Sequence, residues 1–210
     1  METATESETV TGSSGENRHA VEEHPTIDDV LSRHPVIASI KDKDGLRAVL
    51  RVSCPVVFVL FGSIMTIPGI VATLKGAGRT VFVDVDLVDG FSNKPVVVDF
   101  LKEHTRADGV LSSKSIMVKT AKAAGFLAIH RLFLIDSFSY HNVPKQVSLS
   151  NADAIEIMPG CMPRVISWIR KDTDIPLIAG GLVCDKQDVT SALGAGAIAI
   201  ASSNRDVWRM

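Results

Sequence analysis

From residue 36 onward, short apolar runs recur at regular intervals, at 36–40, 56–61, 80–86, 109–112, 126–133, 153–157, 176–179 and 197–201. They are rich in β-branched residues and apolar throughout, without the polar alternation of a sheet that faces water on one side. Strands covered on both faces by crossover helices read this way. Between them lie segments with apolar residues at helical spacing, at 43–51, 67–75, 95–104, 115–124, 137–149, 163–170 and 185–193. Glycines mark the change from helix back to strand at Gly76, Gly78, Gly125, Gly194 and Gly196. Asp185 and Asp188 stand at the start of the last of these helices, where acidic groups cap free amides and suit the dipole.

Eight strand–helix units on one chain predict an α/β fold, a compact TIM-like (β/α)8 barrel over residues 34–210. About 175 residues is short for that architecture, whose usual range begins near 200. A flavodoxin-like sheet with one extra strand is the alternative. The chain has 210 residues, 46% of them hydrophobic and 22% charged, which is ample apolar material for one core. Its apolar runs stop far short of the roughly 20 residues of a membrane helix. Acidic residues follow Met1 in place of a basic and apolar signal segment. A cytoplasmic protein with no membrane partner is expected. Cys54, Cys161 and Cys184 are odd in number and lack CxxC spacing, so buried, reduced thiols are expected, with neither a disulfide framework nor a zinc knuckle. No pattern specifies an oligomeric state.

The net charge of −2 conceals an asymmetry: residues 1–33 carry −6 and the remainder +4. The first segment is also rich in Thr, Ser and Gly, a composition that buries too little to offset chain entropy. Residues 1–33 therefore read as a disordered acidic tail. The +4 on the body permits a polyanionic partner without demanding one.

Candidate chemistry lies where the strands stop. In a barrel the carboxyl ends of all strands open on one face, and the loops after strands 7 and 8 commonly form a phosphate site. Gly180-Gly181 and Ser202-Ser203-Asn204 fall there. Glycine lets backbone amides approach an anion, and the segment from Arg205 to Met210 is expected to form a short helix whose first amides face it. Asp86, Lys114, Arg131 and Glu156 sit inside or beside apolar strand runs, where charge is unfavourable unless it faces a site or a partner. Together they describe a polar mouth: cations for phosphate, carboxylates accepting from hydroxyls.

The series FVLFGSI, FVDVDLVDG, ADGVLSSK, HRLFLIDS, IEIMPG, IAGGLV and GAIAIASSN…W resembles the glycerol 3-phosphate responsive antiterminators, the glycerol uptake operon antiterminator family. The likeness runs from Pro35 to Trp208. It implies a cytoplasmic regulator that is not an enzyme, uses no cofactor or metal, senses glycerol 3-phosphate at a barrel mouth and acts on an mRNA leader to prevent premature termination. The positions that the resemblance carries over as ligand-binding are Asp86, Lys114, Arg131, Asp136, Glu156, Gly180, Gly181, Ser202 and Ser203. One departure matters: Asp84 stands where the family usually shows histidine. A carboxylate there repels a nearby phosphate or invites a cation, unless it pairs with Arg131 or Lys114.

RNA binding rests on the resemblance. Only 11 aromatic residues are present, most of the phenylalanines fall in core strands, and no RNP-like signature or arginine-rich arm occurs. The run Lys41-Asp42-Lys43-Asp44-Gly45-Leu46-Arg47 interleaves its acids and bases, which reads as a solvated face. Two rival readings keep the same scaffold. One is an enzyme on a small phosphorylated polyol, with Asp84, Asp86 and Glu156 holding Mg2+ or supplying a general base; the other is a degenerate barrel retained as a protein-binding module.

Overall fold

The computed structural model describes residues 26–32 and 34–210. Its elements in chain order are α1 (Ile27–Leu31), β1 (Val36–Ile40), α2 (Lys43–Val49), β2 (Val56–Val59), α3 (Ile67–Gly76), β3 (Thr80–Asp84), α4 (Val96–His104), β4 (Gly109–Ser112), α5 (Ser115–Ala123), β5 (Leu127–Phe133), α6 (Ser137–His141), α7 (Val143–Ser150), β6 (Ala154–Met158), α8 (Pro163–Asp172), β7 (Leu177–Gly180), α9 (Lys186–Gly194) and β8 (Ala199–Ser202). Each strand pairs in parallel with the next, and β8 closes on β1 with Val36 opposite Ile200 and Ala38 opposite Ser202. That last pairing makes the sheet a TIM-like barrel and removes the open flavodoxin-like alternative.

Apolarity on both strand faces has its cause in this closure. Alternate residues such as Ile37, Phe58, Phe82, Leu111, Ile129 and Ile178 fill the barrel interior. Their neighbours, among them Ala38, Val57, Val83 and Val110, pack outward with the helices, as do Ile157, Ala179 and Ile200 on the other side. Carboxylates at the amino-terminal rim tie adjacent units together. Asp108 accepts from the Val81 amide at 2.8 Å and from Lys75 Nζ at 2.7 Å. Asp153 accepts from the Ala128 amide at 2.8 Å and pairs with Lys122.

The expected disordered tail is corrected at its end. Residues 1–25 and Arg33 lie outside the described residues, but 26–32 form an ordered turn of helix, α1. Thr26 and Asp29 make a reciprocal capping box, the Asp29 amide donating to Thr26 Oγ1 at 3.2 Å and the Thr26 amide to Asp29 Oδ2 at 3.0 Å. Ile27 and Leu31 are buried with the interior residues of the barrel. Since α1 immediately precedes β1, it covers the amino-terminal end of the barrel and keeps water off that layer. The local signal was Thr-x-x-Asp with apolar residues at i, i+3 and i+4, outweighed by the acidic composition around it.

Other boundaries moved by a few residues. The strand expected at 80–86 ends at Asp84, and residues 85–88 turn. The helix expected at 137–149 divides into α6 and α7 at Asn142, because Pro144 lacks the amide a continuous helix would need. The closing helix is a short 3-10 turn, Val207–Arg209. Cys54 is buried, whereas Cys161 and Cys184 are exposed, which corrects the expectation of three buried thiols.

Candidate functional site

Inward positions near the carboxyl ends of β3, β5 and β6 bring Asp84, Arg131 and Glu156 together. Arg131 Nε donates to Glu156 Oε2 at 2.7 Å, and its Nη1 donates to Asp84 Oδ2. All three residues are buried. Burial pushes the Asp84 carboxyl up to about 6, against the partial opposition of Arg131. Burial likewise raises Glu156, again partly opposed by Arg131. Burial disfavours the Arg131 charge, but Glu156 and Asp84 outweigh it and hold the guanidinium pKa above its ordinary value. Two carboxylates thus share one cation in a dry setting, and the departure at Asp84 takes its pairing option: the carboxylate is bound by Arg131.

Asp86, just beyond β3, acts as a clasp. Its carboxylate accepts from Ser112 Oγ at 2.7 Å, from the Ser113 amide at 2.6 Å and from Ser113 Oγ at 2.7 Å. Its own amide donates to Asp84 Oδ1 at 3.0 Å. The DxD and SSK motifs are therefore two halves of one junction between β3 and β4. The Lys114 amide donates to Ser112 Oγ at 3.0 Å, and its side chain lines a separate hollow of about 320 Å3 with His130, Asn142 and Gln146. Burial lowers the His130 pKa, and its Nδ1 has no partner among the described residues. Asp136 stands apart from the mouth. It caps α6, accepting from the Ser139 amide at 2.8 Å, and this bonding holds its carboxyl below the ordinary value.

The other half of the mouth is open. A hollow of about 230 Å3 lies between the ends of β7, β8 and β1, lined by Gly181, Ser202 and Ser203, with Arg131 and Glu156 behind them. Gly180 has no room for a side chain: a Cβ there would lie 2.8 Å from Glu156 Cδ. Gly181 and Leu182 both adopt left-handed backbone, at φ 71° and 54°. For a leucine that conformation is unfavourable by about 1 kcal/mol or more, and strain of this kind gathers at binding loops. Ser202 is committed to the loop itself: its Oγ donates to the Val183 carbonyl at 2.7 Å and accepts from the Asn204 amide at 3.1 Å. Trp208 Nε1 donates to the Ser202 carbonyl at 2.7 Å, which explains why a tryptophan ends the recognised series.

Two residues that the sequence did not single out complete the hollow. Ser39 and Lys41, at the end of β1, line it beside Ser203. Lys41 read as part of a solvated charge run, and only the β1–β8 pairing carries it to the site. The Ser39 and Ser203 hydroxyls and the Lys41 ammonium have no hydrogen-bond partner in the protein among the described residues. Glu156 Oε1 also has none, since Arg131 takes only Oε2. A cation, hydroxyls and a glycine loop thus share a small cavity with one unpartnered carboxylate oxygen, an arrangement that suits an anionic group and hydroxyls together. Among the described residues no group of three His, Cys, Asp or Glu side chains is placed to hold a metal ion. The Mg2+ set Asp84, Asp86 and Glu156 is divided between Arg131 and the Ser112–Ser113 pair.

Fold and mouth together define a TIM-like barrel with a small polar hollow at its carboxyl-terminal face. The family model for glycerol-3-phosphate responsive antiterminators matches residues 36–208. The chain belongs to that family. It is 49% identical over 181 residues, 86% of this chain and 95% of the relative, to the uncharacterized protein YgcP of Escherichia coli (strain K12). Among solved structures, a glycerol uptake operon antiterminator regulatory protein from Listeria monocytogenes superposes with a TM-score of 0.79 at 29% identity, over 82% of this chain and 94% of that one. A glycerol uptake operon antiterminator-related protein from Thermotoga maritima gives 0.75 at 31% identity, over 84% and 99%. Barrel enzymes at 16% identity or below share the fold alone.

Proposed function

We propose that this protein senses glycerol 3-phosphate at the open half of the mouth and binds an mRNA leader, regulating glycerol uptake and metabolism genes in the cytoplasm. The observation that carries this reading is the 230 Å3 hollow, lined by Lys41, Ser203 and Glu156, whose Lys41 ammonium, Ser203 hydroxyl and Glu156 Oε1 have no partner among the described residues. The phosphate of the ligand takes Lys41, Ser203 and the Gly181 loop; a hydroxyl donates to Glu156 Oε1. Arg131 acts as a positioning residue, holding Glu156 where its second oxygen meets the ligand. For the ligand to regulate, it must bind the RNA-competent conformation better than the other one.

Calorimetric titration with glycerol 3-phosphate tests the reading, with glycerol and inorganic phosphate as controls. Micromolar binding that needs both halves of the molecule supports it. Equal affinity for inorganic phosphate alone refutes the hydroxyl end. A catalytic second reading has one observation in its favour, the Asp84 carboxyl pushed up to about 6, in the range of a general acid or base. Against it, both Asp84 oxygens accept from the protein, from Arg131 and from the Asp86 amide. Incubation of glycerol 3-phosphate with the protein in D2O, followed by NMR, is expected to show no exchange of carbon-bound hydrogen; exchange would put the enzyme first.

A further inference from the structure

A second hollow, of about 460 Å3, lies beside the ligand cavity on the same face, between α2 and the loop from β2 to α3. Leu46, Phe61 and Ile70 form its apolar floor, and Lys41, Lys43 and Arg47 stand around it. Lys41 lines both hollows. Of the interleaved acids, which made this run look neutral in sequence, Asp42 also lines the hollow and Asp44 does not. Asp42 Oδ1 accepts from the Gly45 amide at 2.6 Å and caps α2. Asp44 pairs with Arg47 on the exposed surface of the helix, a contact weak enough to be exchanged for another anion. Lys41 and Lys43 have no acidic partner among the described residues. Phe61 packs one side against the core and is half-buried, its remaining surface turned to the hollow.

We infer that this hollow binds a single-stranded segment of RNA, with phosphates on Lys41, Lys43 and Arg47 and a base against Phe61. Cations that track a backbone beside an aromatic face are the recognition chemistry of single strands, and stacking accepts any base. A duplex would offer Phe61 no free base face. The inference rests on the proposed RNA-regulatory function and adds where the RNA sits: next to the sensing cavity, with Lys41 common to both.

The test uses the full chain, a fluorescein-labelled RNA of mixed sequence, about 12 nucleotides long, and anisotropy at several salt concentrations in the presence of glycerol 3-phosphate. Lys43→Gln removes one cation at an exposed helix start, and Phe61→Leu keeps the packing but removes the ring. Lys43→Gln is expected to weaken binding about tenfold and to lower the slope of log K against log salt by about 0.7. Phe61→Leu is expected to weaken it about fivefold with the slope unchanged. Both variants retain wild-type affinity for glycerol 3-phosphate by calorimetry. Wild-type RNA affinity in both variants overturns the assignment of this surface while leaving the RNA-binding function standing. Absence of RNA binding by the wild-type chain refutes that function, and this inference with it. Displacement of the RNA by poly-glutamate as readily as by unlabelled RNA overturns the base-stacking assignment in favour of an acidic protein partner.

Discussion

The two halves of the barrel mouth are built on opposite principles. On the β3–β6 side, charge is abundant and, Lys114 apart, closed: Asp84 and Glu156 bind Arg131, and Asp86 binds Ser112 and Ser113. On the β7–β8–β1 side, the loops are rich in small side chains, the backbone is strained at Leu182, and the Lys41 ammonium and Ser203 hydroxyl have no partner among the described residues. The Arg131–Glu156 pair belongs to both: it lines the cavity, and Glu156 gives one oxygen to Arg131 and keeps the other unpartnered among the described residues. Charged residues at a strand end therefore do not by themselves mark ligand contacts. Here most of them fix the geometry against which a few uncommitted groups can act.

The sharpest way to break that contrast is Arg131→Met. It leaves two buried carboxylates without a cation, and the expected loss is about 3–5 kcal/mol of unfolding free energy in urea. A loss under about 1 kcal/mol would mean that the closed half is not the structural half. Next in size is pH dependence. The Asp84 carboxyl has a folded pKa raised from 3.8 to about 6, so the folded state binds the extra proton between those values. Its stabilising contribution is fully present below about 4 and is lost as pH rises through about 6, by about 3 kcal/mol in all. Urea midpoints of the wild type and Asp84→Asn, compared between pH 4 and 7, should diverge with that sign; parallel curves would remove Asp84 as the titrating group.

On the open half, Ser203→Asp puts negative charge at an exposed, uncommitted position. It is expected to weaken glycerol 3-phosphate binding about 100-fold by like-charge repulsion, while stability stays within about 0.5 kcal/mol. Ser202→Asp is a poorer probe, because Ser202 Oγ holds the Val183 carbonyl and the Asn204 amide, and a carboxylate there would disturb the loop itself. The smallest effect belongs to Lys41→Ala, with about tenfold weaker ligand binding from the loss of one charge-assisted contact. An unchanged affinity would take β1 out of the cradle.

Much of the fold was legible because strand and helix spacing are local. The unalternating apolar runs announced buried parallel strands, and the barrel followed from their number. Arg131 and Glu156 were legible as well, since a charge inside an apolar run needs a reason. Their partners were harder to read. Asp84 was visible only as a departure with two pairing options, and the structure chooses Arg131. Asp136, which the resemblance carried over as ligand-binding, caps α6. Lys41 was hidden by its acidic neighbours, and α1 by the composition of the segment before it.

By itself, then, the sequence determined the alternation of elements, the polarity that gathers strand ends on one face, and the glycine and serine breaks after β7 and β8. Each follows from residue spacing over a few positions. Tertiary structure alone decided which charges neutralise one another and which remain free. Arg131 meets Asp84 and Glu156 across 47 and 25 positions of chain, and Lys41 lines the same hollow as Ser203 only because β8 hydrogen-bonds to β1. Local periodicity carries no record of such contacts, because barrel closure, not spacing along the chain, brings those groups together.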